Sequence, residues 1–121
     1  MLRDAPETVE DDETVDDEAD EIYCVGCGHL VTRGRWRIAM DGNHEHTFFN
    51  PAGIVFRVLC FKEAPGALPV GSVTAEFSWF DGHTWRIAIC GGCGDHLGWM
   101  FEGAGAFFGL VKPRLTMRRP T

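Results

Sequence analysis

Two short stretches carry the clearest pattern in the chain. Arg35–Met40 (RWRIAM) and Thr84–Cys90 (TWRIAIC) alternate polar with apolar side chains, the period of a strand with one buried face. Runs rich in β-branched and aromatic residues extend the reading to six strand segments: Trp36–Met40, Ile54–Phe61, Val73–Phe80, Trp85–Ile89, Leu97–Phe101 and Phe107–Val111. Turn signals separate them: Gly26-Cys27-Gly28, Asp41-Gly42-Asn43, Asn50-Pro51, Pro65-Gly66, Asp81-Gly82 and Gly91-Gly92. No window of a dozen residues keeps a helical stripe. The pattern predicts an all-β domain of six to eight short antiparallel strands, with room for one short helical turn. There is no whole-domain repeat, although the two alternating stretches echo each other.

Charge divides the 121 residues unevenly. Residues 1–21 hold eleven acids and one base, whereas residues 22–121 hold seven acids and ten bases. The acidic stretch has no aromatic residue before Tyr23 and only scattered apolar ones. It cannot bury enough surface to offset its ordering entropy, so it is expected to be a disordered acidic tail. Residues 22–121 are then the folded domain, of a size that gains from an added staple. No apolar run approaches the ~20 residues of a membrane span, and an acidic N-terminus is the wrong charge for a secretory signal. A cytoplasmic protein without membrane contact is expected. A folded part this weakly basic does not argue for nucleic acid.

The cysteines add chemistry. CVGCGH (Cys24, Cys27) and CGGCGDH (Cys90, Cys93) are both CxxCG motifs. Two such pairs can supply four thiolates to one tetrahedral metal, with Gly28 and Gly94 permitting the positive φ of a tight knuckle. Zinc is the expected ion and iron its main rival. Two disulfides fit poorly where nothing suggests export, and a catalytic dithiol would need only one pair. With four protein ligands no coordination position is left for substrate, so the metal is expected to be structural. His29 and His96 lie close to the knuckles and are read as bystanders or hydrogen-bond donors to the cysteines. Cys60 stands alone in an apolar strand and reads as inert filling.

The tryptophans pose a different question. Trp79 and Trp85 flank an Asp-Gly turn, and Trp99 and Phe101 lie two apart on the Leu97–Phe101 strand segment, hence on one face. A strict two-residue hairpin at Asp81-Gly82 would put Trp79 and Trp85 on opposite faces, so a shared cage requires a wider loop. Pattern alone favours neither a cage nor a core.

Here the sequence resembles a family. Asn50-Pro51 with Gly53, FSWF.G..W at Phe77–Trp85, Cys90/Cys93, GW.F at Gly98–Phe101 and FGL at Phe108–Leu110 are similar to the thalidomide-binding, or CULT, domain of cereblon. The spacing to Cys24/Cys27 fits as well, and the similarity covers about residues 23–115. The resemblance implies two antiparallel sheets set at a steep angle (the β-tent type), pinned by zinc on Cys24, Cys27, Cys90 and Cys93. It also implies an aromatic cage walled by Trp79, Trp85 and Trp99, with Phe101 in the lining and Asn50, Pro51 and Phe56 at the rim. Such domains bind glutarimide, succinimide and uracil-type rings such as uridine, holding the imide edge through backbone in the stretch Phe77, Ser78, Trp79. A cyclised imide at the C-terminus of a damaged protein offers the same edge.

Departures bear on the partner. Phe77, Ala52 and Phe56 stand where animal cereblons carry His. Nothing here resembles the Lon-like domain or adaptor-binding helices of cereblon, so no ubiquitin-ligase adaptor is expected, and the chain resembles the free-standing single-domain members of prokaryotes. Two other readings stay open on the residues: an enzyme of the methionine-sulfoxide-reductase B type using Cys60, and a reader of methylated ammonium with Glu76 or Asp81 beside the cage.

Overall fold

The computed structural model describes residues 20–118. Among them the chain is all-β, with nine strands in two antiparallel sheets. The strands are β1 (Glu21–Cys24), β2 (Leu30–Arg33), β3 (Glu45–Phe49), β4 (Val55–Phe61), β5 (Ala67–Thr74), β6 (Thr84–Cys90), β7 (His96–Glu102), β8 (Ala106–Val111) and β9 (Leu115–Thr116). The small sheet runs β2-β1-β9 and the large one β3-β4-β8-β7-β6-β5. Two single 3-10 turns, Gly34–Trp36 and Lys112–Arg114, complete the regular structure. Up to residue 19, the stretch expected to be a disordered tail lies outside the described residues. Its last two positions belong to the fold: Glu21 opens β1 and pairs with Arg33, and Asp20 accepts from Arg35 Nε at 3.0 Å.

The strand segments read from pattern need two corrections. Trp36–Met40 is not a strand of either sheet. Its alternation is real, with Ile38 and Met40 packed on the core while Arg37 and Ala39 are exposed. Pairing is confined to one bridge, Arg37 to Phe61, because the 3-10 turn has just redirected the backbone. The segment Val73–Phe80 is cut short, since β5 ends at Thr74 and residues 75–83 form a loop. Within that loop Phe77 has φ 56, left-handed backbone no strand residue adopts. Four further strands, and all of β5 before Val73, were not legible. β1, β2 and β9 are very short, β3 is a half-exposed edge strand, and most of β5 was hidden by Pro69 and Gly71, which an edge strand tolerates.

The large sheet is buried on both faces. One face, with Phe61, Ala88, Cys90, Leu97 and Leu110, packs with Ile22, Cys24 and Val31 of the small sheet. The other gathers Val58, Cys60, Trp99, Phe101 and Phe107 around Phe80. Cross-strand partners share a face, and the register sets the second group side by side: Thr74 opposite Trp85, Trp85 opposite Phe101, and Phe101 opposite Phe107. Leu97 and Trp99 should share a face by parity, yet serve different cores. A register shift explains this. Ala88 pairs with Gly98 but Ile89 with His96, leaving Leu97 as the extra residue of a bulge.

The loop between β5 and β6 reaches across to the opposite edge strand. Trp79 stacks on Phe48 of β3 (4.7 Å between ring centroids), and Phe80 meets Phe48 and His46 edge-on at 5.3 and 5.2 Å. The sheet therefore curves far enough for its two edges, β3 and β5, to share one aromatic core.

Candidate ligand pocket and metal centre

The two CxxCG motifs fold alike. Gly28 N–H donates to Cys24 O and Gly94 N–H to Cys90 O, at 2.8 and 2.9 Å. Cys24 N–H donates to His29 O and Cys90 N–H to Asp95 O, both at 2.8 Å. Gly28 and Gly94 sit at φ 79 and 80, where an L side chain would be strained. One knuckle caps β1 of the small sheet, the other caps β6 of the large sheet. Their four sulfurs lie within 4.8 Å of one another, with Cys24 3.9 Å from Cys93 and Cys27 3.6 Å from Cys90. Burial works against a Cys90 thiolate, but the N–H groups of Cys93 and Gly92 and the neighbouring thiols outweigh it and hold Cys90 below its ordinary value. All four cysteines are free of disulfides. Four soft donors converging in this way can hold a metal ion that ties the sheets together.

His29 is not one of the four donors. It lies against the second knuckle, where a Cβ on Gly92 would come within 2.9 Å of its own Cβ. His96 is half-buried, donates from Nε2 to Gly98 O at 2.9 Å, and stands edge-on to Trp99 at 4.9 Å. Burial pushes its imidazole below the ordinary value; the Gly98 carbonyl opposes this and the Arg114 charge reinforces it.

On the other face of the large sheet a cavity of about 530 Å³ is lined from four parts of the chain. The β3–β4 turn contributes Asn50 and Pro51, and β4 contributes Phe56. From β5 and its following loop come Thr74, Glu76, Phe77 and Trp79, while β6 and β7 supply Trp85, His96, Trp99 and Phe101. Trp79 and Trp99 meet at 4.7 Å and 80°, and Phe56 stands 5.2 Å from Trp99. The wide 75–83 loop, in place of a two-residue hairpin, lets Trp79 reach the face that Trp85 occupies. Both loop-proximal indoles use their N–H groups structurally, Trp79 donating to Phe49 O at 3.0 Å and Trp85 to Glu76 O at 2.8 Å. These two therefore offer the cavity ring faces, and Phe77 at its mouth is 72% exposed.

Of the residues named for an imide ligand, Ser78 alone does not line this cavity; its hydroxyl donates to Phe80 O at 3.1 Å. Sequence reasoning did not name Thr74 or His96 for the pocket, and it named Glu76 only beside a cation. The alternation of Thr74 with the following residues was invisible without the β5–β6 register, and His96 reaches the cavity only because of the bulge at Leu97.

Cys60 is fully buried and its thiol is pushed up to about 12, first by burial and then by the charge of Asp41. A nucleophile needs an accessible thiolate, and this group is neither accessible nor ionised at neutral pH. Among the described residues no helix is long and apolar enough to cross a membrane.

No family model matches the chain. Curated proteins do match it. Protein cereblon of Xenopus tropicalis is 37% identical over 79 residues, 60% of this chain and 18% of the relative. Protein cereblon of Gallus gallus is 34% identical over the same number of residues. Protein cereblon of Drosophila willistoni is 44% identical over 106 residues, 85% of this chain and 16% of the relative. The chain thus spans less than a fifth of the length of the curated relatives it matches.

Proposed function

We propose that this chain, which carries a cereblon-like (CULT) domain, is a non-enzymatic binding module for small, flat, uncharged rings with an imide edge. The ligand class is cyclic imides, of the glutarimide or succinimide kind, together with uracil-type rings such as uridine. The observation that carries the reading is the meeting of Trp79, Trp85, Trp99 and Phe101 around one cavity. Aromatic walls take up the apolar CH2 groups of such a ring. Its acceptor–donor–acceptor edge needs backbone groups free of a ladder, and the stretch Phe77, Ser78, Trp79 lies outside every strand. A ring carried at the C-terminus of a protein chain would enter by the same mouth.

In this reading the metal is structural zinc on Cys24, Cys27, Cys90 and Cys93. A tetrahedral Zn–S bond of about 2.3 Å spaces sulfurs at roughly 3.8 Å, and the Cys24–Cys93 and Cys27–Cys90 separations bracket that value. Its part is to fasten the sheet that holds the cage.

Titration with succinimide, thalidomide and uridine, read by tryptophan fluorescence, tests the proposal. Trp79→Ala, Trp85→Ala and Trp99→Ala should each weaken binding at least tenfold, about 1.4 kcal/mol, while Cys60→Ala leaves it unchanged. Equal affinity in all three tryptophan variants ends the reading.

One observation favours a second reading. Glu76 lines the cavity and Asp81 does not, so a carboxylate stands beside aromatic walls as a cage for methylated ammonium would require. Tight binding of a trimethyl-lysine peptide, abolished by Glu76→Gln, with no response to imides, would establish that reading instead.

A further inference from the structure

We propose that His96 is a specificity-determining residue of the aromatic cavity: its Nδ1 accepts a hydrogen bond from a hydroxyl that the ligand carries outside its imide edge. A ring with a hydroxylated substituent is then preferred to a bare one. The inference rests on the reading of the cavity as a site for imide-edged rings. His96 lines that cavity, although it follows the second knuckle in sequence. The bulge turns it there, since Ala88 pairs with Gly98 but Ile89 with His96.

One hydrogen bond fixes the tautomer. Nε2 lies 2.9 Å from Gly98 O, and a carbonyl only accepts, so the ring proton sits on Nε2. Nδ1 is then a lone-pair acceptor. Burial holds the imidazole below its ordinary value, with the Gly98 carbonyl opposing and the Arg114 charge reinforcing, so the neutral ring prevails at pH 7 and above. Among the described residues Nδ1 has no hydrogen-bond partner, and it is not one of the polar atoms sealed from solvent. The edge-on contact with Trp99, 4.9 Å at 86°, orients the ring. The cavity therefore holds a fixed acceptor that the fold itself leaves unused.

Trp99 argues that the matching group is a hydroxyl. Of the three cavity indoles, Trp79 and Trp85 donate to Phe49 O and Glu76 O. The Trp99 N–H has no partner among the described residues, although Trp99 is only 8% exposed. An ammonium or amide N–H only donates, whereas a hydroxyl donates and accepts. One hydroxyl, or a neighbouring pair on a sugar, can serve His96 Nδ1 and Trp99 Nε1 together. A cavity of about 530 Å³ is of the size that buries a drug-sized molecule, so a lone five- or six-membered ring leaves space for such a substituent.

The test uses a matched pair of ligands, 1-methyluracil and uridine, titrated by calorimetry at pH 8. They share ring and imide edge, and only uridine adds hydroxyls. The native chain should bind uridine about tenfold more tightly. His96→Phe keeps a ring against Trp99 and removes the acceptor; it should abolish that preference while changing 1-methyluracil affinity by less than about threefold. His96→Asn places a carbonyl oxygen near the Nδ1 position and should restore most of the preference. A preference absent from the native chain, a preference intact in His96→Phe, or equal weakening of both ligands overturns the proposal, the last because His96 would then merely pack. If the native chain binds neither ligand, the imide reading falls and this inference with it; if it binds both and only the preference fails, the imide reading stands. A second readout needs no variant: the Nδ1 nitrogen resonance of His96 should move upfield with uridine and not with 1-methyluracil, and equal responses to both are equally fatal.

Discussion

Two glycines set how closely the strands of the large sheet approach. A Cβ on Gly98 would lie 2.1 Å from Gly109 O and 2.8 Å from Leu110 Cα, both backbone atoms that cannot swing away. A Cβ on Gly109 would meet Val58 and the Phe101 ring at 2.8 and 2.9 Å. The glycines of the GW.F and FGL motifs thus have a steric explanation that needs no ligand: each leaves room for the strands packed beside it. Gly98→Ala should destabilise by about 2–3 kcal/mol through overpacking, measured by chemical denaturation. Gly105→Ala is the control, since nothing lies within 4 Å of its Cβ position, and it should change stability by less than ~0.5 kcal/mol. Equal effects at both sites would refute the packing argument.

Among the elements, the 75–83 loop has the most demanding task, since it leaves one edge of the large sheet and closes on the other. Its anchor is Trp79, which stacks on Phe48 and donates its indole N–H to Phe49 O. Trp79→Phe keeps an aromatic ring and removes the donor. The exposed carbonyl should then loosen β3 by about 1 kcal/mol. Hydrogen exchange is the check: β3 and its partner β4 should exchange faster, while β6 to β8 keep their protection. Uniform acceleration across the sheet would instead mean that Trp79 stabilises the whole fold and not this closure. The same loop explains why an alternation-based reading carried Val73–Phe80 through as a strand. The side chains of EFSWF suit a pleated surface, but the positive φ of Phe77 and the pull of β3 take them out of the ladder.

For the whole molecule, the decisive feature is that the knuckles come from different sheets. Cys24 and Cys90 end β1 and β6, Cys27 and Cys93 follow in the turns, and a metal held by the four would join two layers that otherwise rely on the packing of a modest core. Stripping the metal with a strong chelator should lower the midpoint of thermal unfolding and loosen the small sheet first. Acid should act the same way: the ligands are thiolates, protons compete with the metal for them, and the stabilisation is lost as pH falls. Calorimetry with and without added zinc follows both effects, and a midpoint indifferent to chelator would show that the cysteines contribute no metal-dependent stability.

The strand alternation of TWRIAIC and the paired CxxCG knuckles were legible because each rests on local geometry, the two-residue period of a strand and the turn a glycine permits. They were enough for an all-β chain with four clustered cysteines that could hold a metal. The tryptophans were legible only as a list, because which face a side chain occupies depends on register. The bulge at Leu97, the loop that ends β5 at Thr74 and the curvature that brings β3 to Trp79 are set by contacts between residues far apart in sequence. Local pattern determined the strands and their metal-binding turns; only tertiary packing decided that Trp79, Trp85 and Trp99 would enclose a cavity and that His96 and Glu76 would join them.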